Sequence, residues 1–200
     1  YTGWSPYNYV FGNPVRLVDP NGEKPEDIIV IINKDAVYGA GHVGLLIGDD
    51  KSGWTYISKD GRADTDNDGN QNGTILSGGE SRQTVLINEF NTLDDALNDE
   101  RLSAAYDEGY RLETTPEQDE KAIEVATEDA KSKYSLFLSS CADTCTKALE
   151  SVGFDGGGYQ SDKKWVGVTY SDLPIKRYNQ IVKNNPEGEL IQIGTNKQKK

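Results

Sequence analysis

The chain is expected to fold as an α+β domain in which an antiparallel sheet packs against a helix carrying a cysteine, Cys141, at its N-terminus. Three observations lead there. Residues 27–33 (DIIVIIN) form a β-branched run, apolar on both sides, that suits a buried central strand. Residues 39–48 and 54–60 flank the polar turn 49–53 (DDKSG), the shape of a β-hairpin. Residues 115–118 (TPEQ) read as a capping box with proline at the first helical position, and a second helix opens near Ser140.

The remaining segments follow in order. Pairing Gly48 with Trp54 sets His42 opposite Asp60 and Val43 opposite Lys59. Side-chain alternation then puts His42, Gly44, Leu46, Tyr56, Ser58 and Asp60 on one face, and a one-residue slip would undo that grouping. Residues 62–79 are rich in Gly, Asp and Asn and read as a long acidic loop. Residues 83–90 read as a strand, 93–106 as one helix of moderate amphipathicity, and 116–131 as the capped helix. The helix beginning near Ser140 should stop at Gly153. Residues 156–170 are loop-like, 173–179 a short strand or helix, and 194–200 a frayed basic tail. No internal repeat is present.

Composition narrows the function. The 200 residues, 35% of them hydrophobic, suffice for one ordinary core. The 33 acidic against 21 basic residues give a net charge of -12, which opposes nucleic-acid binding through clustered Lys and Arg. No apolar run approaches the roughly 18 residues of a membrane span, and residues 1–10 lack a basic segment followed by an apolar one. Neither membrane insertion nor a signal of its own is therefore expected. Two cysteines, Cys141 and Cys145, exclude a disulfide framework, and a zinc site would need most of its ligands elsewhere. A zinc deaminase is excluded as well, because His42 is followed by Val43-Gly44 and the cysteines lie three residues apart.

The single histidine and the first cysteine carry the chemistry. A thiolate is the nucleophilic form of cysteine, and a helix N-terminus beside an imidazole favours it. Cys141 is placed in such a first turn, behind Ser139 and Ser140, where free N–H groups can also receive an oxyanion. His42 is the available base. Its orienting acceptor is Asp60 by register, with Ser58 one pleat away as the alternative. Cys145, one turn after Cys141, reads as a small buried hydrophobe. The acidic loop holds the first half of a calcium motif at Asp64, Asp66 and Asp68, with Gly69 at the sharp turn, but Ile75 stands where a bidentate Glu belongs. Any calcium there should be structural and weak.

Two family resemblances sharpen this reading. The first lies in residues 5–22 (SPYNYVFGNPVRLVDPNG), which resemble the end of the core of Rhs and YD-repeat proteins. In that family the motif borders a large encapsulating shell and a variable C-terminal toxin. The resemblance thus implies that residues 1–22 are a core remnant and 23–200 a toxin domain, delivered by the Rhs shell into a target cell and neutralised by a cognate immunity protein. The second lies in residues 41–48 (GHVGLLIG) and 134–149 (YSLFLSSCADTCTKAL), which resemble the NlpC-type papain-like cysteine hydrolases. His42 precedes Cys141, as in the circularly permuted branch that includes lecithin:retinol acyltransferase-like enzymes. That resemblance implies a permuted papain-like fold with Cys141 as nucleophile and His42 as base. The family often has a second histidine as third residue, and this chain has none. Expected substrates are peptide or protein amides, by hydrolysis or acyl transfer, with lipid acyl groups as an alternative. A calcium-stabilised, non-enzymatic binding module is the rival from another class.

Overall fold

The computed structural model describes residues 26–60, 84–132, 140–158 and 173–193. The elements run β1 (Glu26–Asn33), α1 (Ala36–Gly39), β2 (His42–Asp49), β3 (Gly53–Asp60), β4 (Thr84–Phe90), α2 (Leu93–Asn98), α3 (Glu100–Ala105), β5 (Glu108–Thr114), α4 (Pro116–Lys131), α5 (Cys141–Ser151), α6 (Pro174–Asn184) and β6 (Glu189–Gln192). The strands form one six-stranded sheet in the order β4-β3-β2-β1-β5-β6, and every neighbouring pair is antiparallel. The α+β class and the antiparallel sheet are as the sequence predicts.

The sheet is covered on both faces, which explains why β1 alternates nowhere. Ile28, Val30 and Ile32 face α4, α5 and α6, while Ile29 and Ile31 face α2 and α3, and all five are fully buried. Burial of each such side chain contributes about 1.5–3 kcal/mol. On the first face, Ala122, Ala126 and Ala130 of α4 and Ala142 and Ala148 of α5 present small side chains to Val43, Leu45, Ile47 and Ile57. On the second, Leu46 and Tyr56 pack with Ala96, Leu102 and Tyr106.

The hairpin forms in the expected register near its turn, with Gly48 opposite Trp54 and Leu46 opposite Tyr56, but the β2–β3 ladder ends at Leu45–Ile57, short of the expected His42–Asp60 and Val43–Lys59 pairs. The capped helix occupies the expected span, with Thr115 as N-cap and Gln118 closing the box. Three expectations change. The helix read over 93–106 is two helices, because the Asp99 carboxylate accepts from Arg101 N–H and Leu102 N–H and starts a new helix there. The segment after Leu173 is helical through Asn184, with Pro174 in its first turn. Strands β5 and β6 add a side to the sheet that the sequence reading lacks. The Rhs-like motif at 5–22, the acidic loop with Asp64, Asp66 and Asp68, and the tail 194–200 lie outside the described residues. No described helix is long and apolar enough to cross a membrane.

Candidate active site

The candidate base is placed at the start of β2. Gly41 has φ +86°, and a Cβ on it would meet the backbone nitrogen and Cβ of Ile175 at 3.0 and 3.1 Å. Glycine therefore lets the first turn of α6 close on the chain just before His42. Ile175 N–H donates to the carbonyl of Ala40 across this contact at 3.0 Å. His42 itself is partly buried. Its Nε2 lies 2.9 Å from Ser58 Oγ on β3, so one edge of the imidazole is fixed by a hydroxyl. Its ring lies 6.1 Å, centroid to centroid, from that of Tyr106.

Tyr106 follows α3 and is nearly fully buried. Its hydroxyl shares a 2.8 Å hydrogen bond with that of Tyr56, and the two rings meet edge to face. The space it enters exists because residue 44 is glycine: a Cβ there would sit 2.9 Å from the Tyr106 hydroxyl oxygen and 3.2 Å from the Tyr56 ring. Burial pushes the Tyr106 phenol well above its ordinary value, with the charges of Tyr56 and Cys141 adding to the rise and a hydrogen bond from Ser58 opposing it. Cys141, by contrast, packs with Val43, Leu45 and Ile47 on the sheet face opposite Tyr56 and Tyr106.

The nucleophile candidate opens α5, a helix that packs on β2 and β3. Ser140 is the N-cap, and its backbone N–H and its hydroxyl donate to the Asp143 carboxylate at 2.7 and 3.0 Å. The other oxygen of Asp143 pairs with Arg177 of α6 at 2.7 Å. Cys141 is 3% exposed and packs among the apolar residues of the helix-covered face. Cys145 is buried deeper, and burial raises its thiol well above the ordinary value, with the Cys141 charge adding to the rise. A protonated, inert Cys145 follows, which is the role expected from the sequence.

A charged knot fixes α5 from behind. Lys59, next to Ser58 but pointing to the other face, is fully buried and donates to the Asp129 carbonyl at 2.8 Å and to Ser132 Oγ at 2.9 Å. The Asp129 carboxylate also accepts from Thr144 Oγ1 at 2.7 Å and pairs with Lys147. β3, the end of α4 and the second turn of α5 are thereby tied at one point.

The expected members are partly assembled. Ser58 meets His42, whereas Asp60 ends β3 opposite Thr84 and its side chain lies outside the described residues. Tyr106 and Tyr56 are additions that the sequence reading did not assign. Tyr56 stood on the right face by alternation, but nothing local marks Tyr106, whose position depends on the break between α2 and α3. Among the described residues no group of three or more His, Cys, Asp or Glu side chains is placed to hold a metal ion. No family model, curated protein or solved structure matches the chain.

Proposed function

We propose that the chain is a Cys–His hydrolase or acyl transferase that works through a thioester on Cys141. The observation that carries this reading is the 2.9 Å contact between His42 Nε2 and Ser58 Oγ beside a cysteine-led helix. In this reading His42 takes the Cys141 proton. The thiolate then attacks a carbonyl carbon, and N–H groups of the first turn of α5 receive the oxyanion. His42 returns the proton to the leaving group as the tetrahedral intermediate collapses to the thioester. Water or an acceptor nucleophile, deprotonated by His42, releases the acyl group and regenerates the thiol. A cysteine-led helix against an antiparallel sheet, with histidine ahead of cysteine in the chain, agrees with a permuted papain-like arrangement. Ser58 serves as the third member of this site.

The acidic chain suits a peptide or protein amide better than an anionic bilayer, which places lipid acyl groups second. Together with the Rhs-like motif at 5–22, the reading is of a secreted toxin tip with a cognate immunity protein as partner. The near-complete burial of Cys141 favours the rival reading, a non-enzymatic module with a structural thiol. Iodoacetamide separates the two. The enzyme should be alkylated fast at Cys141, and His42→Ala should slow that reaction by about 10²-fold at neutral pH. Toxicity should be lost in Cys141→Ala and kept in Cys145→Ala. Two inert cysteines would sink the enzyme reading, and an activity that depends on calcium would favour the module.

A further inference from the structure

Resting on the reading of Cys141 as nucleophile, we infer that Arg177 of α6 is a positioning residue for the first turn of α5: by pairing with Asp143 it cancels the negative charge that the capping box places where a thiolate and an oxyanion must form. Asp143 is the acidic residue of that turn, and one of its oxygens accepts from the backbone N–H and the hydroxyl of Ser140 at 2.7 and 3.0 Å. The other oxygen meets Arg177 Nη1 at 2.7 Å. Both partners are sheltered, with 6% of the Arg177 side chain and 18% of that of Asp143 exposed, so solvent screens the pair weakly. Arg177 is itself held. Its Nη1 also donates to Thr146 Oγ1 at 3.1 Å, and that hydroxyl donates to the Gly156 carbonyl at 2.6 Å. The segment after α5 closes over these groups because residues 156 and 157 are glycines, where a Cβ would sit 2.6 Å from the carbonyl oxygen of Thr146 and of Arg177 respectively.

Attack through Cys141 turns a neutral thiol into a thiolate and then builds an oxyanion at the first-turn N–H groups. An aspartate in that turn caps the helix well, but its charge repels both anions. The guanidinium offsets this charge at every working pH, because arginine does not lose its proton in proteins. It also holds one Asp143 oxygen on α6, which leaves the other to Ser140 and keeps the carboxylate from turning onto the N–H groups of the turn. The two charges act in opposite senses on the next thiol. At Cys145, where burial is the main cause of the rise, the Arg177 charge works to lower the thiol and the Asp143 charge to raise it. Among the described residues, the charged and titratable groups around Cys141 are Asp143, Cys145 and Lys147 of α5, Arg177 of α6, Asp129 of α4 and Lys59 of β3, with the Tyr106 phenol on the far face of the sheet. The strand residues that Cys141 packs against, Val43, Leu45 and Ile47, carry no charge. Lys59, Asp129 and Lys147 satisfy one another and stay the same when residues 143 and 177 are changed.

The sign of a pH shift tests this. Alkylation of Cys141 by iodoacetamide is followed from about pH 5 to about pH 9 in the full chain carrying Cys145→Ala, so that one thiol reports. Arg177→Gln leaves Asp143 uncompensated, and the midpoint of the profile should rise by about 0.5–1 in pH, with the rate at neutral pH falling roughly three- to tenfold. Asp143→Asn leaves Arg177 uncompensated and should move the midpoint the other way. The double variant removes both charges and should return close to the parent, and Arg177→Lys, which keeps the charge, should stay nearer the parent than Arg177→Gln. Loss of packing alone moves all of these variants in one direction or leaves the midpoint in place, and either result would overturn the role assigned to Arg177. Should Arg177→Gln fail to fold, Asp143→Asn decides, since an unmoved or raised midpoint there overturns the same role. A Cys141 that is inert in the parent removes the hydrolase reading and the role of Arg177 with it, whereas a reactive Cys141 whose midpoint ignores both charges removes the role of Arg177 alone.

Discussion

The two ends of α4 each bury an aspartate, and the pair behaves oppositely. At the C-terminal end, burial works to raise the Asp129 carboxyl, but hydrogen bonds from Lys147 and Thr144 and the Lys59 charge outweigh it, and the group is held below its ordinary value. At the N-terminal end, burial raises Asp119 to about 8, and Glu26 and Asp27 add to the rise. Thr114 Oγ1 donates to Asp119 at 2.5 Å and opposes it without winning. Exposure is similar, 7% and 3%, so burial does not separate them. The partners do. Cations turn a buried carboxyl into a clamp, and carboxylates turn the same residue into a proton store.

The largest expected effect breaks the clamp. Asp129→Ala leaves Lys59 buried without its counter-charge and should cost about 3–5 kcal/mol in urea unfolding. A loss within 1 kcal/mol would mean that the lysine simply turns to solvent. Acid probes the same group. Its folded pKa is depressed, so its contribution is complete above the unfolded value and disappears as pH falls through the folded one. The acid limb of the parent's stability curve should therefore shrink in Asp129→Ala.

The next effect has the opposite sign. Asp119 keeps its proton in the folded state up to about pH 8. Its unfolded counterpart releases it near the usual carboxylate value, so stability falls as pH rises between the two. Asp119→Asn offers Glu26 an amide donor with no proton to lose. The variant should gain on the order of 1–3 kcal/mol at pH 8 relative to the parent and be no more stable at pH 4. A gain of equal size at both pH values would show that titration is not the cause. The smallest effect sharpens the contrast: Thr114→Val removes the one hydrogen bond that resists the rise, and should cost about 1 kcal/mol. The pH-dependent loss should also extend to a slightly higher pH than in the parent, because Asp119 then holds its proton longer.

Some of this was legible in the residues and some was not. Hairpin register could be read because a polar turn and two alternating runs leave one pairing that buries Leu46 and Tyr56 together. The start of α4 could be read because Thr115 and Gln118 satisfy each other locally. The start of β5 was obscured by Gly109, although Tyr110, Leu112 and Thr114 do alternate inward. That glycine is needed because a Cβ would sit 2.8 Å from Ile29. β6 has four mostly exposed residues and no pattern to read. The break at Asp99 was signalled by a good capping residue, but the pattern of 93–106 also fits one continuous helix. At the site, His42 and Cys141 were found as the scarce reactive types. The choice of Ser58 at Nε2 depends on where the imidazole edge points, which register alone does not determine.

The seating of α6 has a consequence in time. This helix touches both halves of the site, at Ala40 and Gly41 just before His42 and, through Arg177, at Asp143 just after Cys141. It is also made after both. At roughly 5–20 residues per second, synthesis from Asp143 to Arg177 takes about 2–7 seconds. During that interval a nascent chain holds His42 and Cys141 without the helix that contacts the residues next to both. A chain cut short in the stretch between α5 and α6 would carry both side chains and lack the helix that contacts the segments beside them.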